Sequence, residues 1–212
     1  MFILSILGPI ISYVTGSIPF GFLITKAVKG IDIRQVGSGN PGATNVTRIL
    51  GKPYGFLVFF LDMAKGFFPV FLFCHFSAEP KFSLPAILCG VGVIIGHTFP
   101  VFLGFKGGKA AATSCGVFLW LAPLPIFISA AIWLITVSLT RYVSLGSIFG
   151  SIAMVISVTF MGKDPFGQGL SLTLFSVFIS VLLIIRHKSN IKRIIERTEN
   201  KVGRKTTSQN DS

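Results

Sequence analysis

A short polar segment rich in glycine stands between two long apolar stretches of the chain. Gly39 and Gly42 can take positive φ angles, which would let consecutive backbone N–H groups face one anion. An arginine nearby, Arg48, can hold two phosphate oxygens at once. The same composition is typical of an ordinary turn, so the segment indicates a phosphate-binding loop only together with other features. Its polar candidates and glycines are Ser38, Gly39, Asn40, Gly42, Thr44, Asn45 and Arg48.

Two further segments carry residues suited to an anion. The stretch Lys106-Gly107-Gly108-Lys109 places two glycines between lysines, although Leu103 and Ala110 stand where a nucleotide-binding loop needs glycine and a hydroxyl. His187 and Asn190 are three residues apart, which puts them on one side of a helix. His97 lies inside an apolar stretch, where a packed role and a role in the site are both compatible with the sequence.

Asp62 and Lys65 are charged residues inside another apolar stretch. Charges in hydrocarbon are costly, and residues at i, i+3 on a helix can pair. We expect an ion pair that shapes the floor of a pocket, with direct contact to a substrate as the alternative.

The composition indicates a membrane protein. Of the 212 residues, 51% are hydrophobic and only 12% are charged, which is more apolar surface than a soluble domain of this size can bury. No charged residue precedes Lys26, so the first stretch lacks the basic region of a cleaved signal peptide and is expected to persist as a span.

Charge placement predicts the topology. The stretch 110–140 is too long for one comfortable crossing, and Ala122-Pro123-Leu124-Pro125 interrupts it where proline breaks a helix. If it crosses twice, sixteen basic residues fall on one side of the membrane and only Lys81 and Lys163 on the other, as the positive-inside rule favours. The apolar stretches are 2–25, 54–76, 84–105, 110–140, 142–161 and 168–185.

The predicted fold is therefore an all-α polytopic membrane protein with seven transmembrane helices, its N-terminus outside and its C-terminus in the cytoplasm. Residues 1–200 are expected to form one membrane domain and 201–212 a polar, disordered tail. All the polar segments described above come out on the cytoplasmic side.

Several other chemistries are disfavoured. Cys74, Cys89 and Cys115 lie in apolar stretches at separations unlike those of metal ligands, so we expect no metal. The sequence has no G-x-S-x-G elbow and no histidine followed five residues later by aspartate. Membrane orientation and attraction to anionic lipid explain part of the net charge of +12, though not the glycines flanked by lysines, and no nucleic-acid partner is expected.

Together the segments resemble a family, the bacterial acyl-phosphate:glycerol-3-phosphate acyltransferases of the inner membrane. The match covers nearly the whole chain in the family's order and departs from it at Ala110 and Arg197, where the family usually has glycine. The matching segments are Gly16-Ser17-Ile18-Pro19, Asp32-Ile33-Arg34, 37–45 with Arg48, 96–100, 106–109, Arg141-Tyr142-Val143-Ser144-Leu145 and 186–191.

The resemblance implies transfer of a fatty acyl group from acyl phosphate to the 1-hydroxyl of glycerol 3-phosphate, with lysophosphatidate and phosphate as products. It implies no cofactor, an active site facing the cytoplasm, and the enzyme that makes acyl phosphate as a partner. The catalytic residues would be Ser38, Arg48, Lys109, His187 and Asn190. The substrate-binding residues would be Gly39, Asn40, Gly42, Thr44, Asn45, His97, Lys106, Gly107, Gly108, Arg141 and Ser144, with Asp62 and Lys65 supporting the pocket.

Two other functions use similar residues. A small anion or phosphate transporter also combines many spans with basic groups, but it predicts an internal repeat and a polar site at the bilayer midplane, and we find no such repeat. A noncatalytic lipid-binding protein needs only the basic tail and leaves the first polar loop without a purpose.

Overall fold

The computed structural model describes residues 2–162 and 164–203. Every regular element in that part of the chain is helical, which confirms the all-α prediction. Lys163 and residues 204–212, most of the predicted tail, lie outside the described residues. The helices are α1 (Phe2–Gly16), α2 (Phe20–Lys29), α3 (Ala43–Leu50), α4 (Lys52–Ser77), α5 (Leu84–Thr98), α6 (Ala111–Leu121), α7 (Pro123–Thr140), α8 (Val143–Met161), α9 (Leu170–Arg186) and α10 (Lys188–Ile195), with 3₁₀ turns at Ile33–Gln35 and Val101–Leu103.

Five helical segments in the described ranges are long and apolar enough to cross a membrane, and α9 with α10, bent by 53°, makes a sixth. Their outer faces are apolar, as Leu139 and Phe160 show at 80% and 83% exposure. These features are typical of a multi-pass membrane protein. The five segments are Ile3–Lys29, Lys52–Ser77, Leu84–Leu103, Pro123–Thr140 and Val143–Met161.

The stretch 110–140 forms two helices, α6 and α7, which are separated by Ala122 alone. α6 begins two residues after Lys109, and near its other end Trp120 packs edge-on against Phe71 with ring centroids 4.9 Å apart. The ammonium of Lys81, from the loop between α4 and α5, lies 4.0 Å from the centre of the Trp120 ring. α6 therefore leads from the Lys109 end of the bundle to the Lys81 end.

Glycines let α4 and α6 touch backbone to backbone. A Cβ atom on Gly116 would lie 1.9 Å from the carbonyl oxygen of Met63, and one on Gly66 would lie 2.1 Å from that of Thr113. Small residues at such a crossing are the usual device for close helix packing in membranes. The contact brings the middle of α4, with Asp62 and Lys65, next to the start of α6.

Candidate active site

A cavity of about 290 Å³ lies where α3, the start of α6, the start of α8 and the junction of α9 with α10 meet. Its mouth is polar, and its inner part continues between α6, α7, α8 and α9 past Phe118, Ile126, Met154 and Ile179. Most of the predicted site residues line it, namely Ser38, Asn40, Gly42, Thr44, Asn45, Arg48, Asp62, His97, Lys109, Ser144, His187 and Asn190.

Some predicted residues do not line this cavity. Lys65, Gly107 and Gly108 border a much smaller pocket of about 10 Å³ beside the break between α1 and α2, together with Asp62 and His97. Gly39, Lys106 and Arg141 line neither. Contact of these residues with a substrate stays a prediction.

The loop before α3 is held by its own amide side chains. The N–H of Ser38 donates to Asn45 Oδ1 at 2.9 Å, and Asn45 Nδ2 donates to the carbonyl of Val36 at 3.0 Å. The N–H of Gly42 donates to Asn40 Oδ1 at 2.9 Å. The amides of Asn40 and Asn45 therefore shape the loop, although both residues also line the cavity.

Only one of the two glycines predicted to favour positive φ uses that conformation. Gly39 has φ of +69°, whereas Gly42 has φ of −84° and ψ of 166°, an extended conformation open to any residue. Gly42 is instead the N-cap of α3, and no side chain caps the helix. Since Ala43 and Thr44 also line the cavity, their N–H groups and the positive end of the helix dipole are available to an anion there.

Arg48 lies in the last turn of α3, half-buried against the same cavity. Its guanidinium has no hydrogen bond and no ion pair within the described ranges, and the charged side chains that act on its pKa are Glu199 and Arg193. Burial lowers the pKa of this guanidinium, and Glu199 only partly offsets the effect. A partly desolvated guanidinium with unused donors is stabilised by a bound anion, so Arg48 is the strongest indication of an anion site in this cavity.

Glu199 joins three segments at the mouth of the cavity. Its Oε1 accepts from Ser144 Oγ at 2.9 Å and from Asn190 Nδ2 at 2.6 Å, and its Oε2 accepts from Arg193 Nε at 2.7 Å. Burial by itself raises the pKa of Glu199, but these hydrogen bonds outweigh it and hold the pKa below its ordinary value. The carboxylate thus fixes Ser144 and Asn190 in place.

Lys109 projects into the cavity, and its ammonium donates to Asn190 Oδ1. Burial lowers the pKa of Lys109 to about 8; Glu199 opposes this shift, and Arg193, Arg186 and Arg48 add to it. An anion bound beside the ammonium would replace the lost solvation and raise the pKa again.

His187 is buried in the cavity wall. Its Nδ1 lies 2.8 Å from the carbonyl oxygen of Leu183. Because a carbonyl only accepts, Nδ1 carries the proton, and in the neutral ring Nε2 is left as the acceptor. His187 Nε2 can therefore accept a hydrogen bond from a bound group.

The glycines at positions 107 and 108 do not offer free N–H groups. Gly107 donates to the carbonyl of Thr98 at 3.2 Å and Gly108 to that of His97 at 3.1 Å. A Cβ atom would lie 2.2 Å from the His97 carbonyl oxygen at Gly107 and 2.1 Å from His97 Nε2 at Gly108. Close packing on His97, rather than donation to an anion, explains the glycines.

The expected pair of Asp62 and Lys65 is present in the buried interior. Lys65 Nζ lies 2.7 Å from Asp62 Oδ1, and it also donates to the carbonyl of Ile18 at 2.7 Å, where α1 gives way to α2. His97 Nδ1 lies 3.5 Å from the same Asp62 oxygen. These groups hold α4, α5 and the α1–α2 break together behind the cavity.

Comparison with known proteins identifies the family. A family model described as glycerol-3-phosphate acyltransferase matches residues 6–197. A glycerol-3-phosphate acyltransferase of Staphylococcus saprophyticus is 47% identical over 198 residues, covering 91% of this chain and 95% of the relative. The chain belongs to the glycerol-3-phosphate acyltransferase family.

Two solved structures of a family member are similar along almost the whole chain. Both are crystal structures of PlsY (YgiH), an integral membrane glycerol 3-phosphate acyltransferase. Its glycerol 3-phosphate form is 41% identical with a TM-score of 0.86 and covers 94% of this chain and 96% of that one. Its lysophosphatidic acid form is 40% identical with a TM-score of 0.83 and covers 94% and 95%. This chain is thus a multi-pass membrane acyltransferase.

The sequence did not single out three residues at or near this cavity. Glu199 and Arg193 close the mouth of the cavity, and Arg186 contacts the glycines at 107 and 108. Two signals could have found Glu199: the chain has only seven acidic residues, and Glu199 lies two residues after Arg197, in a stretch where the resemblance to the family continues. The segment after it, where we expected a tail, is partly attached: the N–H of Val202 donates to the carbonyl of Arg141 at 2.8 Å.

Proposed function

We propose that this acyltransferase moves a fatty acyl group from acyl phosphate to the 1-hydroxyl of glycerol 3-phosphate, giving lysophosphatidate and inorganic phosphate without metal or cofactor. The glycerol 3-phosphate and lysophosphatidic acid forms of the solved relative support the acceptor and the product. A partner enzyme that makes acyl phosphate belongs to the same proposal. The observation that carries it is the guanidinium of Arg48, which has no partner among the described residues and lies in a cavity that is polar at its mouth and apolar inside.

The polar mouth suits two phosphates. Arg48 and the uncapped start of α3 supply a planar cation and backbone donors on one side, and Lys109 supplies an ammonium on the other. Ser38 adds a hydroxyl that positions substrate. The carboxylate of Glu199 keeps Ser144 and Asn190 oriented while the phosphates bind.

The inner cavity suits an acyl chain, although several serines line it. Ser129 Oγ donates to the carbonyl of Gly150 at 2.7 Å, Ser147 Oγ to that of Val143 at 3.0 Å and Ser176 Oγ to that of Thr173 at 2.8 Å. Because these three hydroxyls donate to backbone carbonyls, within a helix for Ser147 and Ser176 and from α7 to α8 for Ser129, the serines act as small residues that leave space. An alkyl chain from the membrane fits that space without displacing polar contacts.

The donor itself supplies the activation. Acyl phosphate is a mixed anhydride, so the glycerol hydroxyl can attack the carbonyl carbon directly, forming the ester C–O bond as the C–O bond to phosphate breaks. The hydroxyl proton passes to His187 Nε2 or to a phosphate oxygen, and the departing phosphate is held by the cations. Ser38 is then a hydrogen-bonding residue rather than a nucleophile.

Purified protein in detergent tests the donor. We expect lysophosphatidate and phosphate from glycerol 3-phosphate with acyl phosphate, and no product from an acyl thioester. No protein-bound acyl label should remain after incubation with labelled acyl phosphate alone and denaturation. Product from the thioester only would overturn the choice of donor. Stoichiometric label that disappears in Ser38→Ala and is chased by glycerol 3-phosphate would overturn direct transfer.

We also propose seven spans in the bacterial inner membrane, with the N-terminus outside, the C-terminus and active site in the cytoplasm, and residues 1–200 as one domain. Lys109 and Ser144 both lie at the mouth of the cavity. The chain between them must therefore lead away from the mouth in α6 and back to it in α7. The contact of Trp120 with Lys81 at the far end supports a full crossing by α6, although its eleven residues span only about 16 Å.

Thiol labelling tests this topology. In a background without the native cysteines, a cysteine at Lys81 should react with an impermeant reagent in intact cells, and a cysteine at Lys52 should react only after the membrane is opened. Both residues are exposed in the structure. Equal labelling at both positions in intact cells contradicts seven spans.

A further inference from the structure

Arg186, the last residue of α9, donates hydrogen bonds to the backbone of Gly107 and Gly108. Its Nη2 donates to the carbonyls of Gly107 and Gly108 at 3.1 and 3.2 Å, and its Nε donates to that of Gly108 at 3.3 Å. The guanidinium also lies over the Phe99 ring, 5.4 Å from its centroid. With both N–H groups given to Thr98 and His97, all four backbone polar groups of the glycines have partners.

Arg186 contacts the backbone of the turn rather than the cavity, because it is absent from the cavity wall that includes Arg48 and Lys109. Its Nε and Nη2 are used on the two carbonyls. The planar fork of arginine matches this task, because a lysine ammonium on a flexible stem cannot hold two carbonyls and lie flat on an aromatic ring.

The position of Arg186 links two parts of the site. Lys109 directly follows Gly108, and its ammonium reaches Asn190, four residues beyond Arg186. The end of α9 therefore fixes the backbone that carries Lys109, and the next turn places His187 and Asn190 on the opposite wall. We infer that Arg186 is a positioning residue, which sets the distance between the Lys109 ammonium and the Asn190 wall and so the affinity for the substrate phosphate. This inference rests on the proposed role of Lys109 as a phosphate ligand.

A double-mutant cycle tests the link. The measurement is the dissociation constant of glycerol 3-phosphate by calorimetry on detergent-solubilised protein, for Arg186→Lys, Lys109→Gln and the double variant. We expect Arg186→Lys to weaken binding about tenfold although it keeps the charge, and to cost less than about twofold once Lys109 is already Gln. A residue that only stabilises the fold would show the same loss in both backgrounds.

Two further variants complete the test. Lys192→Gln removes a basic side chain that is 76% exposed on α10 and should bind glycerol 3-phosphate as the parent does. Phe99→Leu removes the ring under the guanidinium and should give a smaller loss that also vanishes in the Lys109→Gln background; it takes the place of Arg186→Lys if that variant does not fold.

The outcomes separate the two proposals. Parent-like binding by Arg186→Lys, or an undiminished loss in the Lys109→Gln background, overturns the positioning role and leaves Lys109 as a ligand. Unchanged binding by Lys109→Gln alone shows that Lys109 does not hold the phosphate, which removes both the ligand role and the inference that rests on it.

Discussion

The loop before α3 (residues 36–42) and the glycine turn (residues 106–109) have similar compositions and both give N–H groups to the protein itself, but they lie at opposite ends of a helix. The loop leads into a helix start without a side-chain cap, beside an arginine that has no partner in the described part of the chain. The glycine turn gives its N–H groups to carbonyls of the protein itself. Glycine between polar residues thus precedes a helix start with free N–H groups in one case and forms a closely packed turn in the other.

Helix polarity explains the difference. The glycine turn folds back on the end of α5, whose last carbonyls, those of His97 and Thr98, have no partners within the helix and accept the glycine N–H groups. The loop before α3 precedes a helix, where the free backbone groups are donors. The loop therefore attracts anions, and the turn depends on Lys109 and Arg186 for its charge.

The largest effect should come from Gly108→Ala. The added methyl group would lie 2.1 Å from His97 Nε2 inside a buried site, so the turn must move and carry Lys109 with it. We expect kcat/KM to fall by about 100-fold, as a displacement of about 1 Å does for catalytic groups. The measurement is steady-state kinetics of the purified variant.

Gly104→Ala is the matched control for that variant. Gly104 differs from Gly108 in having positive φ, at +60°, and a Cβ there would meet no atom of the described residues within 4 Å. It should cost about 1 kcal/mol of stability from backbone strain and leave kcat/KM nearly unchanged. Equal kinetics for the two variants would mean that the glycine turn tolerates a side chain and is not closely packed.

Arg48→Lys should have the next largest effect. The change keeps the charge and removes the planar fork, so we expect about a tenfold loss in kcat/KM. Arg34→Lys is the control, because Arg34 pairs with Asp32 at 2.7 Å in an exposed part of the same region. Parent-like kinetics for Arg48→Lys in a well-folded protein would mean that Arg48 does not hold a phosphate through its planar fork and contributes only a positive charge that orients the protein in the membrane.

The pH dependence of binding should report on Lys109. With its pKa lowered to about 8, the ammonium is charged below that pH and loses its proton as the pH rises through it, so the anion loses an attractive partner. The affinity for glycerol 3-phosphate should fall several-fold between about pH 7.5 and 9 in calorimetry. Lys109→Arg should flatten this decline because arginine stays protonated; the same decline in both proteins would assign the titration to another group.

The sequence predicts features that depend on local pattern. Apolar stretches and basic loops predicted the membrane class and the helices, and polar residue types at loop positions predicted most of the cavity wall. The role of Glu199 could not be predicted because its partner Ser144 is 55 residues away along the chain. The role of Arg186 could not be predicted because its partner Gly108 is 78 residues away. The close packing of Gly107 and Gly108 could not be predicted either, because a sequence does not show which carbonyl a glycine N–H group donates to.

The smallest effect should come from Gly42→Ala, the counterpart of Gly108→Ala in the loop before α3. Gly42 has φ of −84°, so alanine needs no strained backbone, and its methyl group would meet only Asn40 Oδ1 at 2.9 Å, the movable end of a side chain. Alanine is a poorer N-cap than glycine, which costs up to about 1 kcal/mol of stability. We expect kcat/KM within about threefold of the parent and a slightly lower Tm. A loss as large as that of Gly108→Ala would show that substrate touches the backbone at residue 42, and the anion site would then extend from Arg48 to the N-cap of α3 itself.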